Sequence, residues 1–334
     1  MIIPPAIAAL PRFALFDEPS PLAPLPRLSA ALGGAAEIWI KREDLLPLAF
    51  GGNKLRNLEF LVGAALADGA DSLITSGRRW SNHCRLTAAA GARAGLAVHL
   101  VLTGPPPEIG QEGANQRLDE LLGASIHLTS TGNRVERTAM VESIAVAERA
   151  LGHRPFVIGV GGTGPIGAAG QVLAGLELAD QLQVAGLGAA TVVLPSATGG
   201  TQAGILSGLH LAAPPASRVV GIAVASPAAE LRTVIETILD GLEPLVGIRV
   251  GTTAIVLEDD QLGSGYGHRT TAADEAAGLL ARTEGILVDP IYTAKALAGV
   301  VARVRDGRLS GPVVFWHAGG TTGLFESLPG GEHT

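Results

Sequence analysis

Short apolar, β-branched runs alternate along the chain with longer alanine-rich stretches in which apolar positions recur at three- and four-residue spacing. The runs at 38–40, 72–75, 98–102, 125–128, 156–158, 191–194, 219–224 and 313–316 predict strands. The stretches at 55–67, 82–94, 112–122, 137–151, 168–184, 201–211 and 271–284 predict helices. Strands that alternate with helices pair as parallel neighbours through right-handed crossovers, so the expected class is α/β, with open, mostly parallel sheets covered by helices. The 45 glycines and 21 prolines lie between these segments as punctuation rather than in one linker, and no internal repeat is visible. A chain of 334 residues, 47% hydrophobic, can bury enough core for two lobes.

Charge narrows the partners. With 31 acidic against 24 basic residues the net charge is -7, so neither a nucleic-acid footprint nor a polybasic membrane patch is expected. The start, Met1-Ile2-Ile3-Pro4-Pro5, carries no basic segment before an apolar one, and no apolar run is long enough to span a bilayer; neither export nor insertion is expected. Cys84 is the single cysteine, which excludes an internal disulfide framework and thiolate-rich zinc sites and points to the cytoplasm.

In open α/β sheets ligands gather where loops leave the carboxyl ends of strands. Four such places carry chemistry. The chain has three lysines, Lys41, Lys54 and Lys295, and Lys54 follows Gly51-Gly52-Asn53 at the opening of a helix. An amine there can condense with an aldehyde, which a guanidinium cannot, and burial at a helix N-terminus lowers its pKa. In Arg78-Arg79-Trp80-Ser81-Asn82-His83-Cys84, Ser81 is a plain N-cap, leaving the N–H groups of Asn82, His83 and Cys84 to receive a carboxylate. His83 as a metal ligand is disfavoured, because no second ligand follows at suitable spacing, and Cys84 is a weak nucleophile candidate; no metal is expected. Ser196-Ala197-Thr198-Gly199-Gly200-Thr201 joins a strand to a helix through small residues and hydroxyls, which suits a phosphate. It lacks both the P-loop lysine and the dinucleotide spacing, so a small phosphorylated cofactor fits better than ATP or NAD. The two tyrosines, Tyr266 in Gly265-Tyr266-Gly267 and Tyr292 in Pro290-Ile291-Tyr292, both lie among turn residues, where ring stacking or proton transfer is their natural use.

Together these features resemble the pyridoxal phosphate enzymes of fold type II, the tryptophan synthase β-subunit fold. More narrowly, the chain resembles the D-cysteine desulfhydrase and 1-aminocyclopropane-1-carboxylate (ACC) deaminase family. The likeness runs nearly end to end, through Trp39-Ile40-Lys41-Arg42-Glu43-Asp44, Phe50-Gly51-Gly52-Asn53-Lys54, Ser81-Asn82-His83, Thr198-Gly199-Gly200-Thr201, Gly265-Tyr266-Gly267, Tyr292-Thr293-Ala294-Lys295 and His317-Ala318-Gly319-Gly320. It implies pyridoxal 5'-phosphate carried on Lys54, its phosphate held by Ala197, Thr198, Gly199, Gly200 and Thr201, its ring oxygen bonded by Asn82, and its ring nitrogen faced by Thr293. Ser81 and the neighbouring amides would receive the substrate carboxylate, with Asn53, Trp80, His83 and Ala318 also around the substrate. Tyr266 and Tyr292 would flank Cα and Cβ.

The resemblance further implies a homodimer with a large cofactor-binding domain, 1–53 and 160–334, a small domain, 54–159, and an active site in the cleft between them. ACC deaminases place glutamate where Thr293 stands and glutamine where His83 stands. A neutral partner for the ring nitrogen makes a weaker electron sink, so both differences favour β-elimination from a cysteine-like amino acid, giving pyruvate, sulfide and ammonia. ACC deaminase, a lyase for cysteate or a specialised-pathway amino acid, and a cofactor- or amino-acid-binding sensor are the alternatives. Four departures from the family pattern stand out. Asn57 replaces a common lysine near the phosphate, Arg78-Arg79-Trp80 precede Ser81, Leu86 replaces a glutamine, and Ala318 replaces a threonine. They predict weaker cofactor binding and a larger, aromatic-contacted or additionally anionic substrate.

Overall fold

The computed structural model describes residues 2–104, 112–129, 132–212, 217–326 and 328. In chain order these form α1 (Pro5–Ala8), β1 (Leu22–Pro24), α2 (Pro26–Ala31), β2 (Ala36–Arg42), α3 (Lys54–Ala67), β3 (Ser72–Arg78), α4 (Asn82–Ala94), β4 (Ala97–Thr103), α5 (Ala114–Leu121), β5 (Ser125–Thr129) and α6 (Arg134–Ala150). The second half adds β6 (Pro155–Val157), α7 (Pro165–Val184), β7 (Thr191–Ser196), α8 (Gly200–Leu211), β8 (Arg218–Ala223), α9 (Ala228–Val246), β9 (Val256–Glu258), α10 (Thr271–Glu284), α11 (Thr293–Arg305) and β10 (Gly311–His317).

Two sheets result. The larger has strand order β1-β2-β10-β7-β8-β9 and the smaller β5-β4-β3-β6. Every pairing is parallel except β1 with β2, where Pro24 sits on an edge strand and so breaks no ladder within the sheet. The near-continuous apolar runs are explained by burial on both faces. Along β10, Val314 and Trp316 join the core formed with α7, α8 and α9, while Val313 and Phe315 join the one formed with α2, α10 and α11. In the small sheet, Leu73, Leu100 and Leu102 pack with α3 and α4, and Ile74 and Val101 pack with Val141, Ile144 and Ala145 of α6. Leu15 and Leu46, from the segment before α3, also enter the small-sheet core.

All eight expected strands and seven expected helices are present. Helix α6 begins at Arg134, three residues before its expected start, because the Asn133 side chain accepts from the Val135 N–H and caps it there. Helix α7 begins at Pro165, where a proline at the first helical position lacks only an N–H that would have no helical partner. The two unpredicted long helices are α9, whose pattern is interrupted by Pro244, and α11, which starts directly after the Tyr292 turn. Strands β1 and β9, three residues each, were not expected from the sequence.

Candidate active site

A cavity of about 380 Å³ lies against the turns that follow β3 and β7, the turn before α3 and the turn after β10. Of the residues singled out in the sequence, Asn53, Lys54, Ser81, Asn82, His83, Ala197, Thr198, Gly199, Thr201, Tyr266, Tyr292 and Ala318 line it. Gly200, Thr293 and Trp80 do not form its wall, although Trp80 reaches Tyr266 with ring centroids 6.2 Å apart. Chain segments distant in sequence meet here through bare backbone. The Asn53 N–H donates to the Ala318 carbonyl at 2.9 Å, and a Cβ on Gly319 would lie 2.5 Å from Gly52 Cα, so only glycine permits this approach.

Lys54 opens α3 and its ammonium donates to the Gly161 carbonyl at 2.8 Å. No carboxylate compensates its desolvation, so burial lowers its pKa to about 8.

Ser81 caps α4 as expected, but its Oγ accepts the Cys84 N–H at 3.2 Å. The expected set of three free N–H groups is therefore corrected to two, those of Asn82 and His83, because the cap itself consumes the third. Asn82 Oδ1 accepts from Arg85 at 3.1 Å; a guanidinium only donates, so the Asn82 amide nitrogen is left as the group free to donate elsewhere. His83 Nε2 lies 3.0 Å from Thr75 Oγ1, whose own proton goes to the Ile158 carbonyl at 2.9 Å. Nε2 must therefore carry the ring proton, leaving Nδ1, which has no partner, as a bare acceptor. Burial first, and then the Lys54 charge, lower the His83 pKa to about 3, so the ring is neutral at physiological pH.

At the end of β7, Gly199 takes φ 79° and introduces α8, whose first turn is buried and has no side-chain cap. Thr201 Oγ1 accepts from Asn53 Nδ2 at 2.9 Å and keeps its own proton available. Ser196 Oγ in the cavity wall and Thr163 Oγ1 beside Gly200 are buried without partners. Uncapped helix N–H groups with unpaired hydroxyls around them fit the phosphate of pyridoxal phosphate, and the Lys54 amine, which has no carboxylate partner, fits its aldehyde. Asn57, expected as a lost phosphate contact, does not line the cavity. Its amide donates to the Gly162 carbonyl at 3.1 Å and accepts from Gln171 at 2.6 Å, fixing the turn that meets Lys54.

The hydroxyls of Tyr266 and Tyr292 are hydrogen-bonded to each other, with ring centroids 5.8 Å apart. Burial pushes Tyr266 up to about 12 and raises Tyr292 further, so both phenols stay protonated. Thr293 is fully buried. Its hydroxyl donates to the Asp289 carboxylate, which also accepts the N–H groups of Ile291 at 2.9 Å, Tyr292 at 2.7 Å and Thr293 at 3.0 Å.

Sequence reasoning missed several wall residues. Gly161 follows β6 and carried a turn signal; Arg134 and Arg137 lie on α6, far from any recognised motif. Of the unusual pair Arg78-Arg79, only Arg78 lines the cavity.

Residues 14–319 match the family described as pyridoxal-phosphate dependent enzyme. The D-cysteine desulfhydrase of Salmonella newport (strain SL254) is 39% identical over 329 residues, 97% of this chain and 98% of that protein. The D-cysteine desulfhydrase of Salmonella choleraesuis (strain SC-B67) is also 39% identical, over 330 residues, with the same coverage. Among solved structures, an ACC deaminase homologue superposes with a TM-score of 0.87 at 34% identity, covering 96% of this chain and 95% of that one. Threonine deaminase isoform 2 from Solanum lycopersicum, at 20% identity and a TM-score of 0.66 over 94% of this chain and 82% of that one, shares the fold. The chain belongs to the pyridoxal-phosphate dependent enzymes of fold type II, in the family of the D-cysteine desulfhydrases and ACC deaminase homologues, and is a lyase dependent on that cofactor.

Proposed function

We propose that the enzyme removes a Cβ substituent from a cysteine-like amino acid, converting cysteine to pyruvate, sulfide and ammonia. The observation that carries this reading is the meeting, in one cavity, of an amine with a depressed pKa, an α-helix N-terminus free to hold a carboxylate, and a pair of protonated phenols. Bound pyridoxal phosphate supplies the sink for the negative charge that develops at Cα. Lys54 would hold the cofactor, and its amine takes the Cα proton, a role for which a pKa near neutrality is suited. The N–H groups of Asn82 and His83 hold the substrate carboxylate beside Ser81, and the Asn82 amide donates to the cofactor's ring oxygen. The loop Ala197, Thr198, Gly199, Gly200 and Thr201 holds the phosphate.

The tyrosine pair hands a proton to the departing sulfur, since both phenols remain protonated in the working range. Thr293, whose hydroxyl proton is committed to Asp289, offers the ring nitrogen no formal charge, which suits expulsion of a good leaving group better than opening a cyclopropane. Asn53, Trp80, His83 and Ala318 complete the substrate surroundings. We extend the proposal to two lobes, 1–53 with 160–334 and 54–159, closing on this cavity, and to a homodimer in the cytoplasm. The family resemblance and the single, buried Cys84 support these assignments, and light scattering of the purified protein tests the dimer. Among the described residues no helix is long and apolar enough to cross a membrane.

The deciding experiment follows keto acid and sulfide from purified holoenzyme given D-cysteine, L-cysteine, β-chloroalanine or ACC. Pyruvate with sulfide from cysteine is the expected result. Production of 2-oxobutyrate from ACC alone overturns it, and a cofactor spectrum indifferent to every amino acid supports a binding protein instead. Lys54→Ala should abolish the borohydride-fixed cofactor band; a band that survives removes Lys54 from its role.

A further inference from the structure

Arg85 is fully buried on α4, three residues after Asn82, yet it lies outside the cavity wall and makes no ion pair among the described residues. A buried charge without a contacting carboxylate is costly, so its hydrogen bonds must compensate. Those bonds run to segments widely separated in sequence. One terminal nitrogen of the guanidinium donates to Asn82 Oδ1 at 3.1 Å, to Asn115 Oδ1 at 2.8 Å and to the Thr322 hydroxyl. The other donates to the Gly51 carbonyl at 3.1 Å, in the turn that presents Lys54. A single planar fork therefore spans the Asn82 amide and the backbone leading to the reactive amine.

The fork is itself held in place. The Thr322 hydroxyl donates to Asn115 Oδ1 at 3.1 Å, and the Asn115 amide nitrogen donates to the Trp80 carbonyl at 3.1 Å and to Asn82 Oδ1 at 3.4 Å. The Asn115 N–H donates to the Glu326 carboxylate at 2.7 Å, so the segment after β10 grips the start of α5 at two points. Asn115 and Thr322 are both buried. The same segment approaches Asn82 directly, for a Cβ on Gly320 would lie 2.6 Å from Asn82 Nδ2. Two donors on Oδ1 exclude the flipped amide, which would set its own N–H groups against the guanidinium.

We propose that Arg85 is a positioning residue for the cofactor: it fixes Asn82 with the amide nitrogen as donor to the cofactor's ring oxygen, and Asn115 and Thr322 lock it in that pose. The inference deepens the cofactor assignment made under the proposed function and rests on it. A donor at the ring oxygen stabilises negative charge there, which favours loss of the proton that this oxygen shares with the neighbouring lysine nitrogen. With Asn82 turned away, that proton should stay in place to a higher pH.

The test follows the absorption of bound pyridoxal phosphate as pH is varied, with no substrate present. Asn82→Ala should raise the midpoint of the proton-linked band change by about 1 pH unit, the size expected for a hydrogen bond to a charged oxygen. Arg85→Lys keeps the charge, but one ammonium cannot serve Asn82, Asn115 and Gly51 together, so the midpoint should rise in the same direction by at least about 0.5 unit. In the Asn82→Ala background Arg85→Lys should add nothing, because the arginine acts through the asparagine. Thr322→Val, similar in shape and neutral, should give a smaller rise that also vanishes in that background. A midpoint unmoved in Arg85→Lys overturns the inference; where that variant does not fold, an unmoved midpoint in Thr322→Val does so. A rise that adds in full to that of Asn82→Ala overturns it as well, by leaving Arg85 a structural cation. A midpoint unmoved in Asn82→Ala removes Asn82 from the ring oxygen, and the inference falls with that assignment. Failure of wild type to turn over β-chloroalanine, with the band shifts intact, sinks the elimination reading and leaves the positioning role standing.

Discussion

Lys54 and His83 are shifted in the same direction by the same cavity, but with different chemical results. With a pKa of about 8, roughly a tenth of the Lys54 amine is neutral at pH 7, against a few parts in ten thousand for an ordinary lysine. Only the neutral amine attacks an aldehyde. The rate at which apoenzyme captures pyridoxal phosphate should therefore rise about tenfold per pH unit below 8 and level off above it. Stopped-flow absorbance from pH 6 to 9.5 checks this; a rate still climbing tenfold per unit at pH 9.5 would show an unshifted amine. His83, lowered to about 3, should stay neutral and Nε2-protonated throughout that range, which imidazole nitrogen NMR reads directly. Its tautomer depends on Thr75, whose hydroxyl links the ring to the Ile158 carbonyl. Thr75→Val leaves both groups buried and unpaired, and should cost about 1–3 kcal/mol in urea unfolding.

At the scale of elements, helix α4 is placed by what β3 lacks. A Cβ on Gly77 would lie 2.7 Å from both Cβ and Oγ of Ser81 and 2.8 Å from Cys84 Sγ. Gly77→Ala should push the α4 N-terminus away from the strand, costing about 1–3 kcal/mol in thermal unfolding and raising KM for the amino acid as its two carboxylate-binding N–H groups move. An unchanged KM with full stability would show that the helix end is not held this tightly. Such placement explains what could be read from sequence. Apolar runs located the central strands because burial on both sheet faces leaves an unbroken β-branched signature, as in 191–194 and 313–316, and located the half-buried β5 and β6 by their β-branched and aromatic residues. The turns at Ser81 and Gly199 were legible because glycine, hydroxyl and amide residues follow strands there, and Lys54 and the tyrosines because they stand among glycine and proline turn residues. Arg134 and Arg137 were not legible. They enter the cavity only through the packing of α6 on β3 and β4, and nothing in their local sequence separates them from solvent-facing arginines. The capture of the Cys84 N–H by Ser81 was hidden for a related reason: sequence identifies a cap, but not which N–H it satisfies.

Across the whole molecule the two lysines outside the cavity act at a distance on Lys54 and the tyrosines. Lys295 donates to the Leu262 and Gly265 carbonyls at 2.8 and 3.1 Å and so tethers the loop that presents Tyr266. Lys41 is buried in an ionic cluster with Glu177, together with the Ser20 carbonyl at 2.5 Å and Gln181 at 2.7 Å. Arg56 joins Glu177 at 2.8 Å and Glu43 at 2.6 Å in the same cluster, tying α3 to α7 and to the end of β2. Arg56 is two residues from Lys54, so this cluster anchors the helix that carries the reactive amine. Burial alone would raise the Glu177 pKa, but Arg56 and Lys41 together outweigh it and hold the carboxyl below its ordinary range. A carboxyl whose pKa is lower in the folded state contributes its stability above the unfolded pKa and loses it as pH falls through the folded value. Glu177→Gln removes that contribution while leaving Arg56 and Lys41 buried beside a neutral amide, which should cost about 3–5 kcal/mol at pH 7. The difference between wild type and variant should narrow as the pH falls below the ordinary glutamate range and through the lowered folded value, where the wild-type carboxyl protonates. Urea unfolding at pH 7, 5 and 3 measures both effects. Because the loosened helix carries Lys54, the variant should also capture cofactor more slowly at pH 8. A variant that unfolds more easily yet captures cofactor at the wild-type rate would separate the cluster from the site.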